Sequence, residues 1–219
     1  PVGFFKGVEE TQLSKFWPYV FGGGMDLKSS EVEKYSDLMS ESQHLVAADT
    51  LAAVNIPSVC RFLDVGGGKG TFVSELKKIH PKVDAAVFDL PGSHSKNSGH
   101  RCIIGSFKED ELPAGYDIIS LVRILYDHRD ETIRDLLGKT YSALDKGGRL
   151  IVSEPMLGAD RPTLWGDVYF AMYTLAMSTG KTRSPDQVSG FIKDAGFSNV
   201  TIHKSARPFI TTVIEAQKT

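Results

Sequence analysis

Between residues 63 and 70 the chain reads Leu63-Asp64-Val65-Gly66-Gly67-Gly68-Lys69-Gly70, a glycine-rich turn between an apolar run and a stretch of helical spacing. Glycines there let backbone approach a ligand, because they lack Cβ and tolerate positive φ. Three ligand classes compete for such a turn. A nucleoside triphosphate loop needs Gly-Lys followed by Ser or Thr, and Lys69 is followed by Gly70. A dinucleotide loop needs G-x-G-x-x-G, whereas the glycines at 66, 68 and 70 leave Thr71 where the third should fall. S-Adenosylmethionine has no pyrophosphate, so its loop need only pass close to the amino-acid and ribose portions, and this spacing suits it. An acid after the second strand accepts from both ribose hydroxyls, and Asp89 stands there. The same acid would serve NAD, or simply cap a turn.

Other residues could also do chemistry. Trp165, Tyr169, Met172, Tyr173, Ala176 and Met177 mix aromatic rings with adaptable thioethers at helical spacing, a composition that suits the wall of a pocket for a long apolar acceptor. The same spacing equally describes a core face or a subunit contact. Glu154 and Asp167 could supply a carboxylate, or act as surface or capping residues. His94, His100 and Cys102 match no common ligand spacing, so no metal is expected.

These groups need a scaffold, and the chain supplies the pattern of one. Its 219 residues, of ordinary apolar and charged content, suit one α/β domain with a full core. A formal charge of −2 gives no basic field for nucleic acid or anionic lipid. The two cysteines, Cys60 and Cys102, sit in or beside apolar runs and read as reduced thiols of a cytoplasmic protein. No run approaches the roughly 20 apolar residues of a bilayer span, and no secretory pattern opens the chain.

Residues 1–55 read as a helical arm. Phe16-Trp17-Pro18-Tyr19 and Phe21-Gly22-Gly23-Gly24 cannot make a core, and a long amphipathic pattern follows from Ser29 to Val54, with Ser30 as its cap. Residues 56–219 read as the main domain. Strands are expected at 59–65, 83–88, 102–104, 118–122 and 150–153, with helices at 72–79 and from Ile133 through Leu144. Continuous apolar strands alternating with helices indicate a mostly parallel sheet covered on both faces. Helices at 163–178 and 185–195 precede two closing strands, 200–203 and 211–216, which no helix separates and which should pair antiparallel. The polar stretch 91–100 stands where a doubly wound fold would place a helix.

Several stretches resemble the plant-type small-molecule O-methyltransferases and, within them, the bacterial hydroxyneurosporene (demethylspheroidene) O-methyltransferases of carotenoid synthesis. They are LSKFWPY from Leu13, YSDLMSESQ from Tyr35, LDVGGGKG from Leu63, FDLPG from Phe88, LPAGYDIISLVRILYDH from Leu112, GGRLIVSEPM from Gly147, GDVYFAMYTLAMSTGKTRS from Gly166 and AGF from Ala195. The resemblance implies a Rossmann-like class I methyltransferase fold, with a mostly parallel seven-stranded sheet and an antiparallel last strand. It implies S-adenosylmethionine as methyl donor, held by Asp64, Gly66, Gly67, Gly68 and Asp89, with Leu90 and Phe107 flanking adenine. Ser106 stands where the family often has an Asp for the adenine amine, so that contact would be weaker or water-mediated. Met39 corresponds to a pocket methionine and Gln43 to a polar position at the donor's amino-acid end. Both also fit a helix packed on the domain.

Methyl transfer to oxygen needs the acceptor held behind the methyl carbon, and gains from a base. Plant members place a His in a His-Asp-Trp motif after the fourth strand. Here Tyr126-Asp127-His128 puts Tyr126 at that position, and a phenol with a reference pKa near 10 is a poor base at neutral pH. Tyr126 is thus expected to orient the acceptor. His128 could be the base if the backbone stays extended, while a helix starting near Asp127 or Asp130 would leave it in solvent. The acceptor implied is a small apolar hydroxylated molecule, an acyclic carotenoid of the hydroxyneurosporene type. The run Arg123-Ile124-Leu125-Tyr126 also resembles a bacteriochlorophyllide C-methyltransferase, and a non-catalytic cofactor-binding assembly protein is a third reading. A homodimer is implied if the family's amino-terminal dimerisation domain precedes this chain, as is attachment at the periphery of membranes where the substrate resides.

Overall fold

The structure, a computed structural model, describes residues 2–6, 11, 29–93, 99–158 and 161–219, without the side chains of Val2, Phe4 and residues 29–38. The aromatic and glycine clusters of the arm, the Ser30 cap, the apolar positions Val32, Tyr35 and Leu38, and His94 lie outside this description. A short helix α1 (Val2–Phe5) and the long α2 (Ser29–Ala53) precede β1 (Arg61–Val65). Then follow α3 (Thr71–Ile79), β2 (Asp84–Asp89), β3 (Arg101–Ile104), β4 (Tyr116–Val122), α4 (Asp130–Ala143) and β5 (Leu144–Glu154). The chain closes with α5 (Ala171–Met177), α6 (Pro185–Asp194), β6 (Ser198–His203) and β7 (Thr212–Gln217).

The seven strands lie in the order β3-β2-β1-β4-β5-β7-β6. Pairings are parallel from β3 through β5, and β7 runs antiparallel to both β5 and β6. Successive residues point to opposite faces, so each strand feeds two cores. Leu63, Val65, Ile119 and Leu121 meet Leu136 and Leu137 of α4 on one face, while Phe62, Ile118 and Val122 meet Phe72 and Leu76 of α3 on the other. Val46, Ala47 and Val54 of or just after α2 are buried in the second core. A chain of buried hydroxyls, Thr50 to Ser153 at 2.6 Å and Ser153 to Thr211 at 2.7 Å, ties that helix to the sheet.

Local chemistry sets most element ends. Asp130 and Glu131 open α4, where carboxylates favour the helix dipole. Ser184 and Gln187 form a reciprocal capping box on α6, with Pro185 in its first turn. Two expectations need correction. Leu144 is not helical: α4 ends at Ala143, and Leu144 turns extended to pair with Tyr116, which lengthens β5 well ahead of residue 150. The helix expected at 163–178 begins as a π-helical segment, Leu164–Phe170, before α5. Asp167 Oδ2 accepts from Gly158 N at 2.9 Å and Thr163 N at 2.6 Å, fastening that first turn to the preceding loop. Those amides hold the Asp167 carboxyl below its usual range, which makes it a capping residue. Among the described residues of 91–100 there is no helix.

Candidate active site

Strand β1 pairs with β2 on one side and β4 on the other, so the chain leaves β1 and β4 in opposite directions and opens a crevice at their carboxyl ends. The glycine turn fills one lip. Gly66, Gly68 and Gly70 take φ of 71°, 55° and 77°, in the left-handed region that favours glycine. Gly66 N donates to Phe88 O at 2.8 Å, and Gly68 N donates to Asp89 Oδ2 at 2.7 Å. The second Asp89 oxygen accepts from Leu90 N at 2.6 Å. The carboxylate at the end of β2 therefore sets the shape of the turn after β1.

Beside this turn is a cleft of about 1150 Å³, counting its open mouth. Gly66, Gly67, Gly68, Asp89, Leu90, Ser106, Phe107, Met39, Gln43 and His128 all line it. A Cβ on Gly67 would collide with Asp64 and one on Gly66 with Ile124, whereas one on Gly68 would meet nothing within 4 Å. The turn is packed beneath and open above, the cradle that a ligand pressed against backbone requires. Asp64 is the exception among the expected donor contacts. It faces the neighbouring strand, where its Oδ1 accepts from Ser120 Oγ at 2.6 Å, and it lies buried under Gly67 instead of in the cleft wall. Burial pushes its pKa up to about 7.

The other lip is the segment after β4. Arg123 holds φ at 61°, a strained value for a side-chain-bearing residue. Its guanidinium reaches Ser42 Oγ at 2.8 Å, Gln43 Oε1 at 3.4 Å and Met39 Sδ at 3.1 Å, clamping α2 over the cleft. A 3-10 turn, Leu125–Asp127, follows. Buried Glu154 accepts from Ile124 N at 2.8 Å and Leu125 N at 2.7 Å, with Tyr126 N at 3.5 Å. Arg183 serves the carbonyl side, donating to Leu125 O at 3.1 Å and His128 O at 2.9 Å. Desolvation raises the Glu154 pKa to about 7 despite those amides.

This turn decides what the Tyr126-Asp127-His128 run presents. His128 is only 7% exposed, although α4 starts at Asp130, so it is not the solvated imidazole that a helix start there suggested. Its ring packs edge-on against Phe107 at 5.2 Å. Burial first, then Lys108 and Arg183, lower its pKa to about 3, which leaves it neutral. Asp127 lines the cleft and Tyr126 does not. The Tyr126 ring stacks on Tyr173 at 6.0 Å and meets the edge of Phe170 at 6.1 Å. Its hydroxyl hydrogen-bonds Asp127 and Tyr173. Of the expected acceptor wall, Tyr173 stacks on Tyr126 and Tyr169 meets the edge of Phe170 at 5.1 Å, and both stand outside the cleft wall. Trp165, Tyr169 and Met172 are 50%, 64% and 40% exposed, Trp165 leans on Phe209 at 5.5 Å, and none of the three lines this cleft.

Arg123, Asp127 and Lys108 are the site residues that sequence reasoning did not single out, while Glu154, named there as a possible carboxylate, serves the turn from beneath. Arg123 and Asp127 flank residues singled out by pattern, but only the 3-10 turn shows which of them turn inward. Among the described residues no three His, Cys, Asp or Glu side chains gather to hold a metal ion, and both cysteines are free thiols. No described helix is long and apolar enough to cross a membrane.

A sheet of this order, with a glycine turn after β1 and an acid after β2, is the fold of the class I S-adenosylmethionine-dependent methyltransferases. Human N-acetylserotonin methyltransferase in complex with SAM superposes with a TM-score of 0.83 at 24% identity, over 99% of this chain and 65% of that one. The O-methyltransferase domain model matches residues 5–198, and the chain belongs to that family. It is 46% identical to demethylspheroidene O-methyltransferase of Rhodobacter capsulatus across 100% of this chain and 56% of that protein. The protein of the same name from Cereibacter sphaeroides is 42% identical across 99% and 60%. This chain thus spans somewhat over half the length of the curated relatives it matches.

Proposed function

We propose that this chain is the donor-binding and catalytic domain of an O-methyltransferase that methylates a hydroxyl of a small apolar molecule, a hydroxylated acyclic carotenoid of the hydroxyneurosporene type. The observation that carries the donor assignment is the glycine turn held by Asp89 and open to the cleft at Gly68. The acceptor class rests on the two relatives named for demethylspheroidene.

When bound, S-adenosylmethionine supplies an electrophilic methyl group on positively charged sulfur. Gly66, Gly67, Gly68, Asp89, Leu90, Ser106, Phe107 and Gln43 would hold it. Carboxylate oxygens accept more than one hydrogen bond, so Asp89 can shape the turn and receive ligand hydroxyls together. Leu90 and Phe107 supply apolar walls, and the Arg123 clamp keeps Met39 and Gln43 over the cleft. A fixed cleft of this kind acts chiefly by orientation, an effect worth up to ~7–11 kcal/mol in favourable cases.

In the same reading, residues 1–55 form an arm packed on a methyltransferase domain of residues 56–219. The protein is cytoplasmic, meets the membrane peripherally to reach its substrate, has no nucleic-acid partner, and is a homodimer if a dimerisation domain like that of its family accompanies this chain. Light scattering tests the last point, and a monomer in solution contradicts it. Transfer of labelled methyl from S-adenosylmethionine to a carotenoid alcohol, with a porphyrinoid in parallel, tests the activity. Label on the carotenoid oxygen supports the reading. Label on porphyrinoid carbon favours a C-methyltransferase, and tight donor binding without transfer favours an assembly protein.

A further inference from the structure

We propose that Asp127 takes the proton of the acceptor hydroxyl, an inference that rests on the O-methyltransferase reading above. The other nearby candidates are excluded by their surroundings. Tyr126 and Glu154 lie outside the cleft wall, Glu154 being engaged by the amides of its turn, and Asp89 serves the Gly68 and Leu90 amides and, in that reading, the donor's hydroxyls. His128 lines the cleft but packs on Phe107, near Lys108 and Arg183, whose positive charges oppose protonation of the ring.

Asp127 differs from all of these. It lines the cleft, is 5% exposed, and its Oδ1 is buried with no hydrogen-bond partner. A buried carboxylate oxygen left unsatisfied costs ~1–3 kcal/mol or more, so a fold that keeps one beside a ligand cleft leaves it for a ligand to satisfy. The residue is also held firmly. Its amide donates to Ile124 O at 3.2 Å, its backbone packs against Gly180 so closely that no side chain fits there, and the Tyr126 hydroxyl bonds its carboxylate. Ile124 abuts Gly66, which places this segment beside the glycine turn.

The groups that act on Asp127 come from each neighbouring element: Glu154 from β5, Arg123 from the end of β4, Tyr126 from its own turn and Tyr173 from α5. Burial and the Glu154 charge raise its affinity for a proton, which makes it a stronger base once ionised, and Arg123 favours the ionised form. In the step, the acceptor O–H bond breaks and its proton passes to Oδ1. The oxygen pair forms the new bond to the methyl carbon while the carbon–sulfur bond breaks, its pair remaining on sulfur. A cation, a carboxylate and an alcohol thus become a thioether, a carboxylic acid and a methyl ether.

The test compares wild type, Asp127→Asn and His128→Gln in the whole protein, measuring kcat against pH and binding of S-adenosylhomocysteine by calorimetry. The expected result is a loss of about 100-fold or more in kcat for Asp127→Asn, with product affinity within about threefold of wild type. The acid limb of the kcat profile should vanish in Asp127→Asn and persist in His128→Gln. A kcat for Asp127→Asn within about threefold of wild type, or an acid limb that persists in it, overturns the proposal. Should Asp127→Asn not fold, Asp127→Glu keeps a carboxylate and is expected to displace the limb. An undisplaced limb overturns the proposal. Wild type that transfers no methyl to any hydroxyl overturns the O-methyltransferase reading itself, and that arm does not involve Asp127.

Discussion

Asp89 Oδ2 receives the backbone N–H of Gly68 at 2.7 Å, so the residue that ends β2 fixes the loop that ends β1. One carboxylate thereby governs loop shape and the polar character of the cleft floor. Asp89→Ala is expected to weaken S-adenosylhomocysteine binding by about 100-fold, since hydrogen bonds to charged groups contribute ~1.5–3 kcal/mol each. Calorimetric titration checks this, and an affinity within about threefold of wild type contradicts it.

Gly67 and Gly68 should respond differently to alanine. A methyl on Gly67 meets buried Asp64, whereas a methyl on Gly68 has space and pays only for positive φ, roughly 1–2 kcal/mol. Gly67→Ala is therefore expected to lower Tm more than Gly68→Ala does. Gly68→Ala should lose donor affinity by about tenfold or more while remaining folded, because its methyl occupies the cleft. Thermal melts paired with ligand titration separate the two effects.

Arg123 holds α2 over the cleft through Met39, Ser42 and Gln43. Arg123→Ala is expected to speed amide hydrogen exchange around residues 39–43 and to weaken donor binding by roughly tenfold, about 1.4 kcal/mol. Unchanged exchange in that segment would show that the clamp does not hold the roof.

Buried groups predict opposite pH slopes. The His128 pKa falls from 6.5 to about 3 on folding, so its contribution is complete above pH 6.5 and is lost as pH falls towards 3. The pKa values of Asp64 and Glu154 rise from 3.8 and 4.5 to about 7, so their contributions are complete at low pH and are lost as pH rises to 7. Asp127 shifts in the same direction as these carboxylates. Between pH 4.5 and 6.5, His128→Gln should therefore steepen the decline of stability with rising pH, and Asp64→Asn should flatten it. Urea midpoints at pH 5, 6 and 7 check both signs.

How much of this was legible depended on range. The strand, turn and helix from Arg61 to Ile79 and the acid at Asp89 follow from local pattern, because glycine spacing and apolar periodicity act over a few residues. What the Tyr126-Asp127-His128 run presents was not legible. Glu154 and Arg183, distant in sequence, wind that segment into a 3-10 turn and bury His128 against Phe107. Helical spacing at Trp165, Tyr169 and Met172 places them on one helical face but carries no information on what that face meets. Leu144 had the apolar character of either element, and its pairing with Tyr116 decided for strand.

The most direct test of the site is a crystal structure of the protein with S-adenosylhomocysteine. The expected result is the ligand in the cleft, its ribose at Asp89, its amino-acid portion along Gly66–Gly68, and its adenine between Leu90 and Phe107. Ligand bound elsewhere, or a cleft that stays empty at saturating S-adenosylhomocysteine, would contradict the assignment of this cleft as the methyl-donor site.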